Sequence, residues 1–412
     1  MHYQAPIRFF YFINMRYAIL LSALLLIACS KVVPVPEHYE LRHNYFLLKA
    51  HFYKPERLKE FSEYEDMEID EMYLSLNDYF KGNRYTFYVQ PSEANNKIDQ
   101  IQNTKKYYSF GFERTLTDDT LIVSQVYPIS PATAAGLKKH DKLLFASDIS
   151  LTGANAALYK NSDSLFAATT TFKVLREKDI VTLTMEKEEV QLPTVYLDSS
   201  NGIPFITVTQ YKEKTNNPKG TYAEFKEILQ EIKDAPKAIM DLRNNGGGSI
   251  RHCTAMAAEL VPFDSELIFD VEHYYDAEKG NVIDTIHSFV SDFLTSEGDG
   301  VNTHWTILIN ENSASCAERF TAAVKYNRPE TVIAGQTSYG KGIGQMYTKT
   351  YLGGLAYITC IQSYYPNGET FHEVGIEPDI PEMPALTKRL PKYKAEPTEF
   401  GAYKYRSFHQ WE

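Results

Sequence analysis

The sequence predicts an α/β multidomain protein with an N-terminal helical region, a β-rich module and an α/β domain built on a mixed sheet. Three observations lead there. Apolar residues recur at helical spacing between Tyr45 and Phe80. Short β-type runs separated by polar turns fill the stretch from about Lys105 to Gln191. From about Thr194 to Pro384 strands and helices alternate. With 412 residues the chain exceeds what one hydrophobic core usually serves, so several domains are expected.

Hydrophobic content of 43%, with 13% aromatic and 23% charged residues, is that of a globular chain. A net charge of −11 argues against nucleic acid as a partner, because phosphate binding draws on clustered Lys and Arg.

Arg16 precedes the apolar run Tyr17 to Ala28, which is too short to span a bilayer and reads as an export signal over residues 1–28. An uncleaved membrane anchor is the alternative, and Met15 is an alternative start. The ending Leu26-Ile27-Ala28-Cys29 resembles a bacterial lipobox. That resemblance implies lipid on Cys29, a membrane partner through it, and a place in the bacterial cell envelope on the periplasmic side or outer surface. The other cysteines, Cys253, Cys316 and Cys360, show no CxxC or Cys/His spacing, so no disulfide framework and no metal site is legible.

Residues 29–44, with Val32-Val33-Pro34-Val35-Pro36, have the composition of an extended tether. Residues 45–100 form the expected helical region, with Met67, Ile69, Met72, Tyr73, Leu76 and Tyr79 on one face. In residues 101–190 the β runs are Tyr107 to Phe112, Thr120 to Val126, Lys142 to Phe145, Thr171 to Val174 and Ile180 to Met185. Ser130 to Leu137 carries Ser and Pro where a helix should start and Gly where it should end. The order resembles a PDZ domain, with Tyr108-Ser109-Phe110-Gly111-Phe112 as its carboxylate-binding loop and Asp141-Lys142-Leu143-Leu144 after the helix; His140 stands where that family has Gly. The resemblance implies peptide binding by Ser109, Phe110, Gly111 and Phe112 at a substrate's C-terminus. A β module that only packs against its neighbour is the plainer alternative.

In residues 191–385 the expected elements are strands at Pro204 to Val208, Lys237 to Leu242, Trp305 to Asn310 and Thr331 to Ala334. Helices are expected around Ala223 to Ile232, Arg251 to Leu260 and Ala314 to Val324. The tail, residues 386–412, is Lys- and Tyr-rich without periodicity.

Ser315 stands at the expected start of a helix, where unpaired amides favour developing negative charge. A serine hydroxyl needs a base, and a lysine serves when burial removes its charge. Lys341 lies between Gly340 and Gly342, which let backbone pack closely around it. Gln345, four residues on, falls on the same side in a strand or a helix. Ser315 followed by Glu318 is also a capping box, and Ser313 and Cys316 are neighbouring alternative nucleophiles. Gly246 to Gly248 is also readable as a tight turn, and Asp241 with Arg243 as structural partners at a strand end.

Taken in order, Asp241-Leu242-Arg243-Asn244-Asn245-Gly246-Gly247-Gly248, Asn312-Ser313-Ala314-Ser315-Cys316-Ala317-Glu318, Tyr339-Gly340-Lys341-Gly342-Ile343-Gly344-Gln345 and Gly375-Ile376-Glu377-Pro378-Asp379-Ile380 resemble the C-terminal processing (tail-specific) peptidases of family S41, of the PDZ-containing bacterial lipoprotein type. The resemblance implies a ClpP/crotonase-like fold, Ser315 as nucleophile, Lys341 as base and Gln345 orienting the lysine. It also implies oxyanion donors at the amides of Gly247 and Cys316, polypeptide substrates and no cofactor. Gly335-Gln336-Thr337-Ser338-Tyr339-Gly340-Lys341 matches seven positions of a phosphate-binding loop, but Gly342 replaces the required hydroxyl and Gln345 to Ile358 reads as strand and turn, so no nucleotide is expected. The expectation is therefore a Ser-Lys endopeptidase of the cell envelope; the alternative from another class is a catalytically silent peptide-binding scaffold.

Overall fold

The computed structural model describes residues 38–160, 163–276, 279, 281–291, 294, 296–381 and 402–403. The segment read as an export signal, Cys29 and all of the C-terminal tail but two residues lie outside the described residues.

Helix α1 (Tyr39–His51) starts inside the span read as tether. Leu41, Tyr45 and Leu48 line its buried side at helical spacing. As far as Phe80 the helical reading beyond it holds only in α2 (Ile69–Ser75), where Met72 and Tyr73 are buried. A 3-10 turn begins at Pro55, while Tyr79–Phe80 is a short strand flanked by left-handed Asn77 and Lys81. These leave Met67 and Tyr79 exposed. Strand β1 (Phe87–Val89) and helix α3 (Pro91–Gln102) complete the region. It is not a separate domain: Leu41, Leu48, Phe52, Met72 and Tyr73 share one core with Ile343, Ala356 and Ile358 from the C-terminal half.

The β module comprises β2 (Lys106–Ser109), β3 (Phe112–Thr117), β4 (Thr120–Val126), β5 (Lys142–Ala146), β6 (Thr169–Arg176), β7 (Asp179–Glu186) and β8 (Glu188–Gln191). Its antiparallel sheet runs β7-β6-β5-β4-β3, and β8 pairs with β2 separately. The run expected as one strand from Tyr107 to Phe112 breaks at Phe110-Gly111. Gly111 has φ 79°, and a Cβ there would lie 2.2 Å from Ser130 Cβ. The expected helix is a single turn, α4 (Pro131–Ala134), capped by Ser130 Oγ, which accepts from Thr133 N at 3.2 Å.

The α/β domain comprises β9 (Val195–Ser200), β10 (Ile203–Val208), α5 (Gly220–Glu231), β11 (Lys237–Asp241), α6 (Ile250–Ala258), β12 (Glu266–Asp276), β13 (Asn281–Val290), β14 (His304–Ile309), α7 (Cys316–Asn327), β15 (Val332–Gly335), β16 (Ile343–Lys349), β17 (Leu355–Tyr364) and β18 (Ile380–Pro381). One sheet runs β9-β10-β11-β14-β15-β18, parallel except for β9 against β10. The other runs β13-β12-β17-β16 antiparallel, with β1 added to β17 and Ala402–Tyr403 paired parallel with β16. Met240 and Ile307 of the first sheet and Ile268 and Ile361 of the second share a core with α6 and α7, so both helices lie between the sheets. Helix α7 is buried from Cys316 to Val324, with the charged Glu318 and Arg319 enclosed among small and apolar residues. The long hairpin β12-β13 carried no sequence expectation. Among the described residues no helix is long and apolar enough to cross a membrane.

Asn216 joins the β module to the α/β domain. Its Oδ1 accepts from Ile129 N at 2.8 Å, and its Nδ2 donates to Ile129 O at 2.9 Å and Gln191 O at 3.0 Å. Nearby, Lys212 bonds instead to the carbonyls of Gln100 and Ile101 in α3 of the N-terminal region. Asn216→Ala is expected to lower stability by about 1–3 kcal/mol, since it strands buried backbone groups. Denaturant unfolding measures that loss, and faster amide exchange at Ile129 localises it to this junction.

Candidate active site

Three segments converge at the N-terminus of α7. The strand β14 ends in Asn310, and the turn to α7 is held by Ser313, whose Oγ accepts from Asn310 N at 2.9 Å and donates to Leu242 O at 2.8 Å. Ser313 is fully buried in this role, which removes it as a nucleophile. Ser315 is the residue before the helix, with φ 55°, a left-handed conformation rare outside glycine. Such a conformation in a non-glycine side chain persists only where its surroundings impose it.

The surroundings are the second segment, Asp241 to Gly248. Asp241 and Arg243 form a two-bond ion pair (Nε to Oδ1 2.9 Å, Nη2 to Oδ2 2.8 Å), the structural role expected of them. Gly247 backs directly onto the serine: a Cβ there would lie 2.8 Å from Ser315 Cβ and 3.0 Å from Cys316 N. Asn245, fully buried and not singled out by the sequence, holds this loop. Its Nδ2 donates to Val208 O at 2.8 Å, its carbonyl accepts from Ala314 N at 2.9 Å, and its Oδ1 accepts from Gly247 N at 2.9 Å. The Gly247 amide is thus engaged within its own loop in this conformation. The Cys316 amide belongs to the first turn of α7, whose N–H groups have no intrahelical acceptor.

The Cys316 thiol points the other way, into the core, with its Sγ 2.7 Å from Cys253 Sγ and 3.3 Å from Gly248 O. Burial pushes this thiol well above its ordinary range, so thiolate chemistry there is disfavoured. The sequence had no signal for this cysteine pair, because its members are brought together by the packing of α6 on α7.

The third segment carries Lys341. It is 1% exposed, and burial lowers its pKa to about 7. Its Nζ donates to Gln345 Oε1 at 2.8 Å and Ile343 O at 3.1 Å. Gln345 is itself fully buried on β16, and Lys341 lies two residues ahead of that strand. Its Nε2 reaches Thr359 Oγ1 at 3.4 Å, which donates to Asp78 Oδ2 at 2.8 Å. Thr86 also donates to that oxygen at 2.6 Å, and Tyr53 donates to Oδ1 at 3.0 Å. The Tyr85 ring lies 5.1 Å from the lysine nitrogen. Asp78, Tyr85 and Thr86 all come from the N-terminal region, which the sequence reading credited with no role. Residues 343–349 form a strand, which also excludes the phosphate-loop reading.

Glu318 ties the first and third segments together. Fully buried on the first turn of α7, it accepts from Ser315 N (2.9 Å), Lys341 N (2.7 Å), Gly340 N (2.5 Å) and Ser338 Oγ (2.5 Å). Burial raises its pKa against the opposing effect of these four donors. The sequence pattern showed only a helix cap. Among the described residues no cluster of His, Cys, Asp and Glu is arranged to hold a metal. Glu318→Ala is expected to cost at least ~3 kcal/mol of stability, because it leaves buried donors unpaired; denaturant unfolding reads this. Glu318→Gln, which keeps acceptor geometry, is expected to lose less.

Residues 202–382 match the family model for peptidase family S41. A probable CtpA-like serine protease of Staphylococcus aureus (strain MRSA252) is 24% identical over 360 residues, covering 86% of this chain and 66% of the relative. One of Staphylococcus haemolyticus (strain JCSC1435) is 24% identical over 346 residues, covering 82% and 64%. The chain therefore spans just under two thirds of these curated relatives. Among solved structures it is similar to a photosystem II D1 C-terminal processing protease (TM-score 0.49, 17% identity, 87% of this chain and 95% of that one). It is also similar to a putative S41 protease from Bacteroides fragilis NCTC 9343 (TM-score 0.47, 13% identity, 82% and 89%). Residues 202–382, which carry Ser315, Lys341 and Gln345, are thus a peptidase family S41 domain.

Proposed function

We propose that the chain is a serine endopeptidase that cleaves extended polypeptides, with Ser315 as nucleophile and Lys341 as its base. The observation that carries this is the state of Lys341: fully buried, with pKa lowered to about 7 and its Nζ oriented by Gln345 Oε1. A neutral lysine takes the Ser315 proton as Oγ attacks the peptide carbonyl, then returns it to the leaving amine. That leaves an acyl-enzyme ester, which water hydrolyses with the lysine again as base. The Cys316 amide meets the oxyanion at the start of α7. Gly247 joins it once its N–H turns from Asn245, a small rearrangement that substrate binding would drive. The β module serves as the PDZ-like domain, with Ser109 to Phe112 receiving the substrate's C-terminus. Lipid on Cys29 holds the protein in the bacterial cell envelope, a reading that rests on the N-terminal sequence.

The engagement of the Gly247 amide by Asn245 also favours a second reading, a silent peptide-binding scaffold. A fluorophosphonate probe separates the two: labelling of Ser315, lost in Ser315→Ala, supports the peptidase. Peptide binding without labelling supports the scaffold.

Ser315→Ala and Lys341→Ala are each expected to lower hydrolysis of unfolded β-casein by ~10³-fold or more, and the double variant little further, because the two act as a unit. Turnover retained in either single variant removes the dyad. Below its pKa Lys341 is charged and cannot accept a proton, so kcat/KM should rise with pH through one ionisation at about 7. A profile flat through neutral pH rules out lysine as the base.

A further inference from the structure

The loop from Ser109 to Phe112, offered above as the receptor for a peptide C-terminus, is already occupied from within the chain. Phe110 N donates to Asp163 Oδ2 at 3.3 Å, and Gly111 N donates to Ser109 Oγ at 3.1 Å. The other oxygen of Asp163 accepts from Arg114 Nη1 at 2.7 Å. Asp163 begins the short turn Asp163–Leu165, and Phe166 N closes it with a bond to Asp163 O at 3.0 Å. A carboxylate that takes a loop amide with one oxygen and a guanidinium with the other is placed as the end of a bound peptide would be.

Arg114 makes this more than a surface ion pair. Its side chain is 0% exposed, with the guanidinium carbon 5.3 Å from the Phe112 ring centroid and 5.0 Å from that of Phe166. Nε donates to Tyr159 O at 2.7 Å, while Nη2 is buried with no hydrogen-bond partner among the described residues. An unpaired buried donor is rare and costly. Asp163 engages the guanidinium through one nitrogen only. A carboxylate seated squarely on the fork would take parallel bonds from Nη1 and Nη2 and satisfy the orphan donor. Beside it, β3 is the last strand of its sheet and offers an edge to which an extended peptide can add.

We propose that Asp163 is an internal stand-in for a substrate's C-terminal carboxylate, and that Arg114 is the charge that selects the carboxylate which displaces it. The ligand class is a polypeptide with a free α-carboxylate, and the loop is self-closed until such an end competes for Arg114 and the Phe110 amide. The proposal rests on reading Ser109 to Phe112 as a carboxylate-binding loop, and the experiment separates the two claims.

The test uses the full chain carrying Ser315→Ala, so that peptide is not cut. Fluorescence anisotropy follows a fluorescein-labelled octapeptide ending in valine, as free acid and as C-terminal amide. Asp163→Asn is expected to bind the acid at least tenfold more tightly than the parent and to leave the amide weak. Arg114→Gln/Asp163→Asn, which leaves no unpaired charge and is checked for a cooperative thermal transition, should lose that gain. Equal acid affinity in parent and Asp163→Asn overturns the internal stand-in while leaving the loop reading intact. A gain that survives in the double variant overturns Arg114 as the selecting charge. Acid and amide bound alike, or bound by none of the proteins, overturns the loop reading and the proposal with it. Should Asp163→Asn fail to fold, amide exchange in the parent decides: saturating acid peptide should accelerate exchange at Phe166, and unchanged or slower exchange overturns the displacement.

Discussion

The buried carboxylate of Glu318 is the interaction on which the candidate site depends. Ser315 and Lys341 lie on different elements, and neither backbone segment is regular where it matters: one takes a left-handed turn and the other runs between glycines. A single side chain accepting from Ser315 N, Gly340 N, Lys341 N and Ser338 Oγ holds the two segments in one frame. Each bond to a charged acceptor in a dry interior is stronger than a neutral one, and each unmade bond would be expensive. The site is therefore fixed by mutual satisfaction of buried groups rather than by local propensity.

The same logic extends outward. Lys341 is kept from water by the two-sheet sandwich around α7 and by Tyr85, and it is oriented through Gln345, Thr359 and Asp78. Asp78 reaches this chain from the N-terminal region, which explains why that region shares its core with β16 and β17 instead of folding apart. Lys81 and Asn83 of the same region donate to the backbone and hydroxyl of Tyr339, two residues before the lysine. A disturbance of residues 78–86 is thus a disturbance of the lysine. The β module is attached at a different place, through Asn216 ahead of α5, while Lys212 ties α3 of the N-terminal region to the same stretch.

Much of the architecture was legible because it rests on local periodicity and turn chemistry. The strand Thr120–Val126 was expected with its observed bounds, and the strands and helices around Asp241, Ser315 and Lys341 were expected to within a few residues. The failures have physical reasons. Tyr107 to Phe112 reads as one β run because only the close approach of Ser130 forces Gly111 into a left-handed turn. Tyr45 to Phe80 reads as helical because its apolar spacing cannot reveal that Pro55 and two left-handed residues interrupt it.

The sequence by itself determined the identities that chemistry needs: a serine at a helix start, a lysine between glycines, a glutamine four residues on and a triple-glycine loop. Residue type and near-neighbour spacing are written in the chain. Only the tertiary structure decided which of the neighbours could act. Ser313 is spent on strand-end hydrogen bonds, and the Cys316 thiol is turned into the core against Cys253. Glu318, Asn245 and Asp78 became part of the site only through packing, because burial, pKa and hydrogen-bond partnership depend on segments distant in sequence.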